Sequence, residues 1–174
     1  MPITRINRVT QANVVLDGAS TLGSASKVEM PDLQAIMVDH EALGVIGKTK
    51  HFAGYEAMEA TFTWNAFYAD TLRQIGNPFQ HISLALHANM DEIDGQQLQS
   101  QISVVTDLRG TFMNYPTGSF SQMENVDGLE MKMSVFYLKQ TIDGVEIFEF
   151  DAANNLLRVN GVDLTAQFNN NIGG

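Results

Sequence analysis

With 174 residues, 44% of them hydrophobic and 17% charged, the chain is long enough for one domain with a substantial core and too apolar to stay disordered. A formal net charge of -10 excludes wrapping nucleic acid through basic residues, and the absence of cysteine excludes disulfides and thiolate metal sites. Because a charged fraction of about 25% is usual, the low value suggests that much of the outer surface is covered, for which other copies of the chain would suffice.

In chain order, residues Met1 to Ala12 are polar without a period and read as an arm, with Ile3 and Arg5 as candidate contacts between subunits. Arg5 and Arg8 precede no apolar run of signal-peptide length, and no stretch approaches the ~20 apolar residues of a transmembrane helix. The expectation is folding in the cytoplasm of the producing cell with no stable membrane insertion. Asp17-Gly18, Asp94-Gly95, Asp127-Gly128 and Asp143-Gly144, with Asn160-Gly161 as a relative, mark tight hairpin turns because their residues accept positive φ.

Residues His40 to Tyr55 hold aliphatics among glycines and read as an extended contact loop, the alternative being a folded-over hairpin. Leu43, Gly44, Val45, Ile46 and Gly47 are its candidate contacts. A strand then carries Met58, Ala60, Phe62 and Trp64 on one face and Glu59, Thr61 and Thr63 on the other. A helix is expected from about Ala66 to Ile75, capped by Asn65 and ended by Gly76 and Pro78.

Three further strands alternate. Ile82, Leu84 and Leu86 oppose His81, Ser83 and His87; Leu98, Ile102, Val104 and Leu108 oppose Gln99, Gln101, Ser103 and Asp107. Met131, Met133, Val135 and Tyr137 oppose Glu130, Lys132 and Ser134. Glu59, Thr61, Thr63, Gln99, Gln101, Asp107 and Glu130 are therefore candidates for a polar face. After Gly144, Val145 and Ile147 oppose Phe148 and Phe150, as in a strand covered on both sides. The whole reads as a single mainly β domain over 1–174, an antiparallel barrel or sandwich with one short helix.

No constellation for chemistry emerges. Phosphate loops, dinucleotide fingerprints, zinc-binding pairs and nucleophile elbows are absent from the sequence. His81 and His87 share a strand face but lie six residues apart, too far for joint ligation. Asp91, Glu92 and Asp94 lack the ligand pattern of a calcium loop and suit a hairpin tip. No enzyme activity, cofactor or metal is expected. A carbohydrate-binding sandwich would need exposed aromatics, whereas Trp64 alternates with the apolar face.

Particular segments do resemble a family. Asn13-Val14-Val15-Leu16-Asp17-Gly18, Met30-Pro31-Asp32-Leu33 and Gly54-Tyr55-Glu56-Ala57-Met58-Glu59-Ala60-Thr61-Phe62 are similar to successive strands of the tail tube proteins of P2-like phages and R-type pyocins. The end matches most strongly, through Asp143-Gly144-Val145-Glu146-Ile147-Phe148-Glu149-Phe150-Asp151 and Asn160-Gly161-Val162-Asp163-Leu164. Departures fall at Ala166-Gln167-Phe168-Asn169, where members often carry arginine, and in the loop from Leu43 to Gly47. The resemblance implies hexameric rings stacked into a hollow tube inside a contractile sheath, with the sheath, baseplate and tail terminator as partners. It implies DNA passing through the lumen, or envelope puncture by a bacteriocin particle. A type VI secretion-like tube carrying effectors is the alternative of the same fold. The acidity suits a lumen that repels phosphate, and equally suits simple solubility.

Overall fold

The computed structural model describes residues 5–21, 24–41, 46–66, 68–94, 97–118 and 129–173. Along the chain run strands β1 (Arg5–Leu16), β2 (Ala19–Ser20), β3 (Ala25–Glu29), β4 (Ala35–His40), β5 (Thr49–Tyr55) and β6 (Met58–Trp64), then helix α1 (Ala69–Ile75). Strands β7 (Ile82–Asp94), β8 (Gln97–Phe112), β9 (Glu130–Ile142), β10 (Val145–Asp151), β11 (Leu156–Val159) and β12 (Val162–Asp163) follow, closed by helix α2 (Ala166–Ile172). The protein is mainly β, and its strand pairs are antiparallel.

Turn chemistry explains much of the connectivity. Asp17-Gly18, Asp143-Gly144 and Asn160-Gly161 hold positive φ at both residues and join β1 to β2, β9 to β10 and β11 to β12. Two consecutive left-handed residues twist a hairpin with the natural twist of its strands. Gly95 and the Asp127-Gly128 pair lie outside the described residues.

The main sheet runs β12-β11-β10-β9-β8-β7-β1-β2, with β6 added to β9 and β3 to β6. Strand β9 is the branch point. Its first half pairs with β6 from Glu130 to Val135, its second half with β10 from Tyr137 to Ile142, and its other edge pairs with β8. The changeover falls on a bulge, because Gly110 faces Val135 while the neighbouring Arg109 faces Tyr137, leaving Phe136 extra. The bulge reverses the alternation, since a one-residue slip moves each later side chain to the opposite face. Tyr137 therefore lies with Arg109 on the polar face, not with Met131 and Met133 as plain alternation expects. A second bulge leaves Gln99 extra and turns Leu98, expected inside, away from the core face to pair with Ile93.

The core forms where the sheet curls over itself. Met58, Ala60, Phe62 and Trp64 of β6 meet Met131 and Met133 of β9, Leu108 and Phe112 of β8, Ile82 and Leu84 of β7, and Val14 and Leu16 of β1. Phe62 and Phe112 pack edge to face with centroids 5.9 Å apart. Burying each such side chain stabilises the fold by about 1.5–3 kcal/mol. The sheet curls without closing into a barrel. Among the described residues strand β3 pairs only with β6, and an open cleft of about 450 Å³ separates it from β1.

Three local expectations change. Residues 5–12, read as an arm, belong to β1 and pair with β7, although Ile6 and Val9 remain exposed. The loop read over 40–55 is largely the β4–β5 hairpin, a separate two-stranded sheet. Helix α1 starts at Ala69 with Tyr68 as its cap, not Asn65. The Asn65 amide donates to the Ser24 carbonyl at 2.8 Å, which prolongs the β3–β6 pairing and delays the helix.

Candidate assembly surfaces

The residues with a claim to function lie on surfaces rather than in a catalytic cleft. Strand β1 exposes one such surface. It pairs with β7 along its length, but β2 covers only Val15 and Leu16 on its other edge. From Arg5 to about Asn13 that edge is without a partner strand among the described residues. Bare edge N–H and C=O groups are a template for pairing with another chain.

The β4–β5 hairpin exposes another surface. Ile36, Met37, Val38 and Phe52 are exposed although large and apolar, and Ile46 at the tip is fully so. Its base is held by a chain of edge-on rings, Phe52 to Tyr55 at 4.9 Å and Tyr55 to Phe150 of β10 at 5.3 Å. Among the predicted contacts, Ile46 and Gly47 (φ 114) are at the tip, while Ile3, Leu43, Gly44 and Val45 lie outside the described residues. Arg5 opens β1 opposite Asp94.

The predicted polar residues gather, by register, on one face of the sheet. Thr61 sits between Glu29 and Lys132, and Thr63 between Lys27 and Glu130. Glu59 faces Ser134, and Asp107 lies between Ala85 and Lys139. Gln101 donates to Asp91 at 3.2 Å, while Gln99 is the extra residue of its bulge. Acids and bases mix on this face, with the Lys27–Glu29 ion pair within β3 and Asp107 opposite Lys139 across β8 and β9. Opposite charges on neighbouring strands support the pairing.

One part of this face was not visible in the sequence. Because the Phe136 bulge turns Tyr137 outward, its hydroxyl donates to Glu149 at 2.9 Å and its ring lies 4.6 Å below the Arg109 guanidinium. Glu149 also pairs with Arg158, and Glu146 joins Lys139 (2.9 Å) to Arg158 (3.5 Å). These bonds lace β9, β10 and β11 together. Burial, then the hydrogen bond to the Glu149 carboxylate, pushes the Tyr137 phenol up to about 12. The raised value stabilises the fold below the ordinary tyrosine range, and that contribution disappears as pH climbs from ~10 through about 12. A native absorbance titration should show one of the four tyrosines ionising last, and Glu149→Gln should bring it forward. Four phenols ionising together would mean that Tyr137 does not face Glu149.

Helix α2 was also unforeseen. Asp163 accepts from the Thr165 amide (2.8 Å) and hydroxyl (2.9 Å), and the same hydroxyl accepts from the Leu157 amide at 3.1 Å, fastening the helix start to β11. Leu164, Phe168 and Ile172 are spaced by four residues and exposed. That spacing was the available sign of a helix.

A family model described as phage tail tube protein FII matches residues 6–173. The chain is also similar to the tail tube protein of Escherichia phage P2, at 28% identity over 173 residues, covering 92% of this chain and 94% of that protein.

Proposed function

The chain belongs to the phage tail tube protein FII family, and from that membership we propose that it polymerises as stacked hexameric rings into the inner tube of a contractile tail. Membership makes it a structural component of a phage tail tube, with its place in the tail of the virion. Its main partner in this reading is itself, with sheath, baseplate and tail terminator proteins at the outer wall and ends. The tube assembles in the host cytoplasm, passes DNA without binding it specifically, and on contraction is driven through the envelope.

The bare β1 edge from Arg5 to Asn13 carries the ring part of the reading. Closing a ring pairs each such edge with a neighbour and removes the exposed template. As a lumen wall, the face holding Glu59, Thr61, Thr63, Asp107 and Glu130 interleaves acids with Lys27, Lys132 and Lys139. It offers DNA no continuous basic track, so phosphates find no line of counter-charges on which to stick.

Sedimentation velocity and negative-stain microscopy of the purified chain test this directly. Rings or hollow tubes are expected as concentration rises. A chain that sediments as a monomer at every concentration and salt tested would overturn the proposal.

A further inference from the structure

Among the described residues, one fully buried side-chain polar atom lacks a partner, the indole Nε1 of Trp64. Trp64 ends β6 and is 3% exposed. It lines a narrow gap with Tyr68, Thr71 and Leu72 on the side of helix α1, and with Leu129 and Met131 on the side of the sheet. The gap has no room for a water molecule. A donor buried there carries a desolvation cost that no bond offsets, so the N–H is unsatisfied for as long as α1 stays down.

Helix α1 is lightly held. Its start has no side-chain cap, and its backbone bonds, such as the Leu72 amide to the Tyr68 carbonyl at 2.9 Å, are its own. Among the described residues no hydrogen bond or ion pair ties it to a strand. Leu72 and Ile75 pack on the core and the Tyr115 ring lies against Gly76, whereas Tyr68 and Asp70 at the other end are exposed. The helix is thus anchored at its end and free at its start. Outside it is an open cleft of about 420 Å³, lined by Ser20, Ser24 and Gln74 among others. Tyr68 and Thr71 line both this cleft and the gap over Trp64, so these two side chains stand between the indole and solvent.

We propose that α1 is the lid of a cryptic site, and that this site takes a small carboxamide whose carbonyl oxygen accepts from the Trp64 N–H. The walls select that class. Trp64 offers a donor and no acceptor. Leu72, Leu129 and Met131 suit a small uncharged body and disfavour an ion. The Thr71 hydroxyl, at the border with the cleft, can accept from the amide nitrogen. Such a site is a minor conformation that its ligand makes dominant. It lies apart from the β1 edge, so it stands or falls independently of the tube.

Trp64 is the single tryptophan of the chain, so its fluorescence reads the lid without a label. Acrylamide is both a quencher and a carboxamide, whereas iodide quenches but is charged. Acrylamide should quench the subunit with a saturating curve while iodide leaves the emission unchanged. The indole N–H proton resonance should move downfield with acrylamide and with acetamide, but not with acetamidinium, which has the shape of acetamide and no acceptor oxygen. Leu72→Ala loosens α1 from the core and should raise acrylamide quenching by about twofold or more, with circular dichroism unaltered. Emission untouched by acrylamide would show that α1 does not lift and would overturn the proposal. Equal quenching by iodide would place Trp64 in solvent and overturn it too. Quenching without a shift of the indole resonance would mean that the lid opens on no carbonyl site. Quenching indifferent to Leu72→Ala would mean that α1 is not the lid.

Discussion

Gly110→Ala is expected to destabilise the subunit more than any other single-methyl change in the β sheet. A Cβ at this position would lie 2.0 Å from the Ser134 carbonyl oxygen and 2.9 Å from its carbon. Those atoms belong to the backbone of β9, which is held by β8 on one side and β6 on the other, so they cannot swing aside as a side chain would. The close approach accompanies the adjacent Phe136 bulge, and only glycine leaves room for it. Forced overpacking of this kind costs on the order of 3–5 kcal/mol, which for a domain of this size lowers Tm by roughly 10–15 °C. Gly161→Ala is the comparison, because its φ of 78 strains an alanine but nothing lies within 4 Å of the added carbon; it should cost about 1–2 kcal/mol. Thermal melts of the two variants decide the matter. A Gly110→Ala protein melting with the parent would show that β8 and β9 do not meet in this register.

Removal of residues 1–10 should act in the opposite way, sparing the fold and abolishing tubes. The part of β1 that is lost pairs with Met90 to Asp94 but places Ile6 and Val9 in solvent, whereas Val14 and Leu16, which fill the core, remain. The subunit should lose about 1–3 kcal/mol and still melt cooperatively. Assembly loses most of the bare edge. Because every subunit of a ring loses the same contacts, the defect multiplies through the assembly. Circular dichroism beside electron microscopy separates the outcomes. Long tubes from the truncated chain would mean that β1 is not the joint between subunits, and an unfolded chain would mean that its first half is needed for the core.

The parts of this fold legible from sequence are those set by neighbouring residues. The turns at Asp17-Gly18, Asp143-Gly144 and Asn160-Gly161 hold the positive φ their residues favour, and the alternation of β6 predicts its buried face residue by residue. Bulges are harder to see. Nothing adjacent to Phe136 or Gln99 announces that one extra residue will be left without a partner, because the bulge is defined by the opposing strand. The errors at Tyr137 and Leu98 both descend from that. The Tyr137–Glu149 contact was hidden for the same reason, since it depends on which face Tyr137 occupies. The polar-face candidates were read from alternation, and by register Glu59, Thr61, Thr63, Gln101, Asp107 and Glu130 lie opposite the core face, whereas Gln99 is the extra residue of its bulge. The hairpin was mistaken for a loop because Gly44, Gly47 and Gly54 outweighed its strand pattern. Its two strands nevertheless pair from Ala35 to Tyr55 around that tip.

The branching of the sheet at β9 also bears on the order in which the molecule folds. Strands β7 to β12 follow one another as sequence neighbours and can zip up locally, whereas β6 must reach β9 across α1 and the β7–β8 hairpin, and β1 must reach β7 across most of the first half of the chain. Local contacts close early and distant ones late, since each long loop costs entropy before its contacts reward it. The meander is therefore expected to form first, with β1 docking onto an edge that already exists. The strand whose free edge would join the next subunit in the proposed ring is thus expected among the last pieces to arrive. A half-folded chain would then have no ordered β1 edge to present, and in the proposed tube folding itself would set the moment at which a subunit becomes able to polymerise.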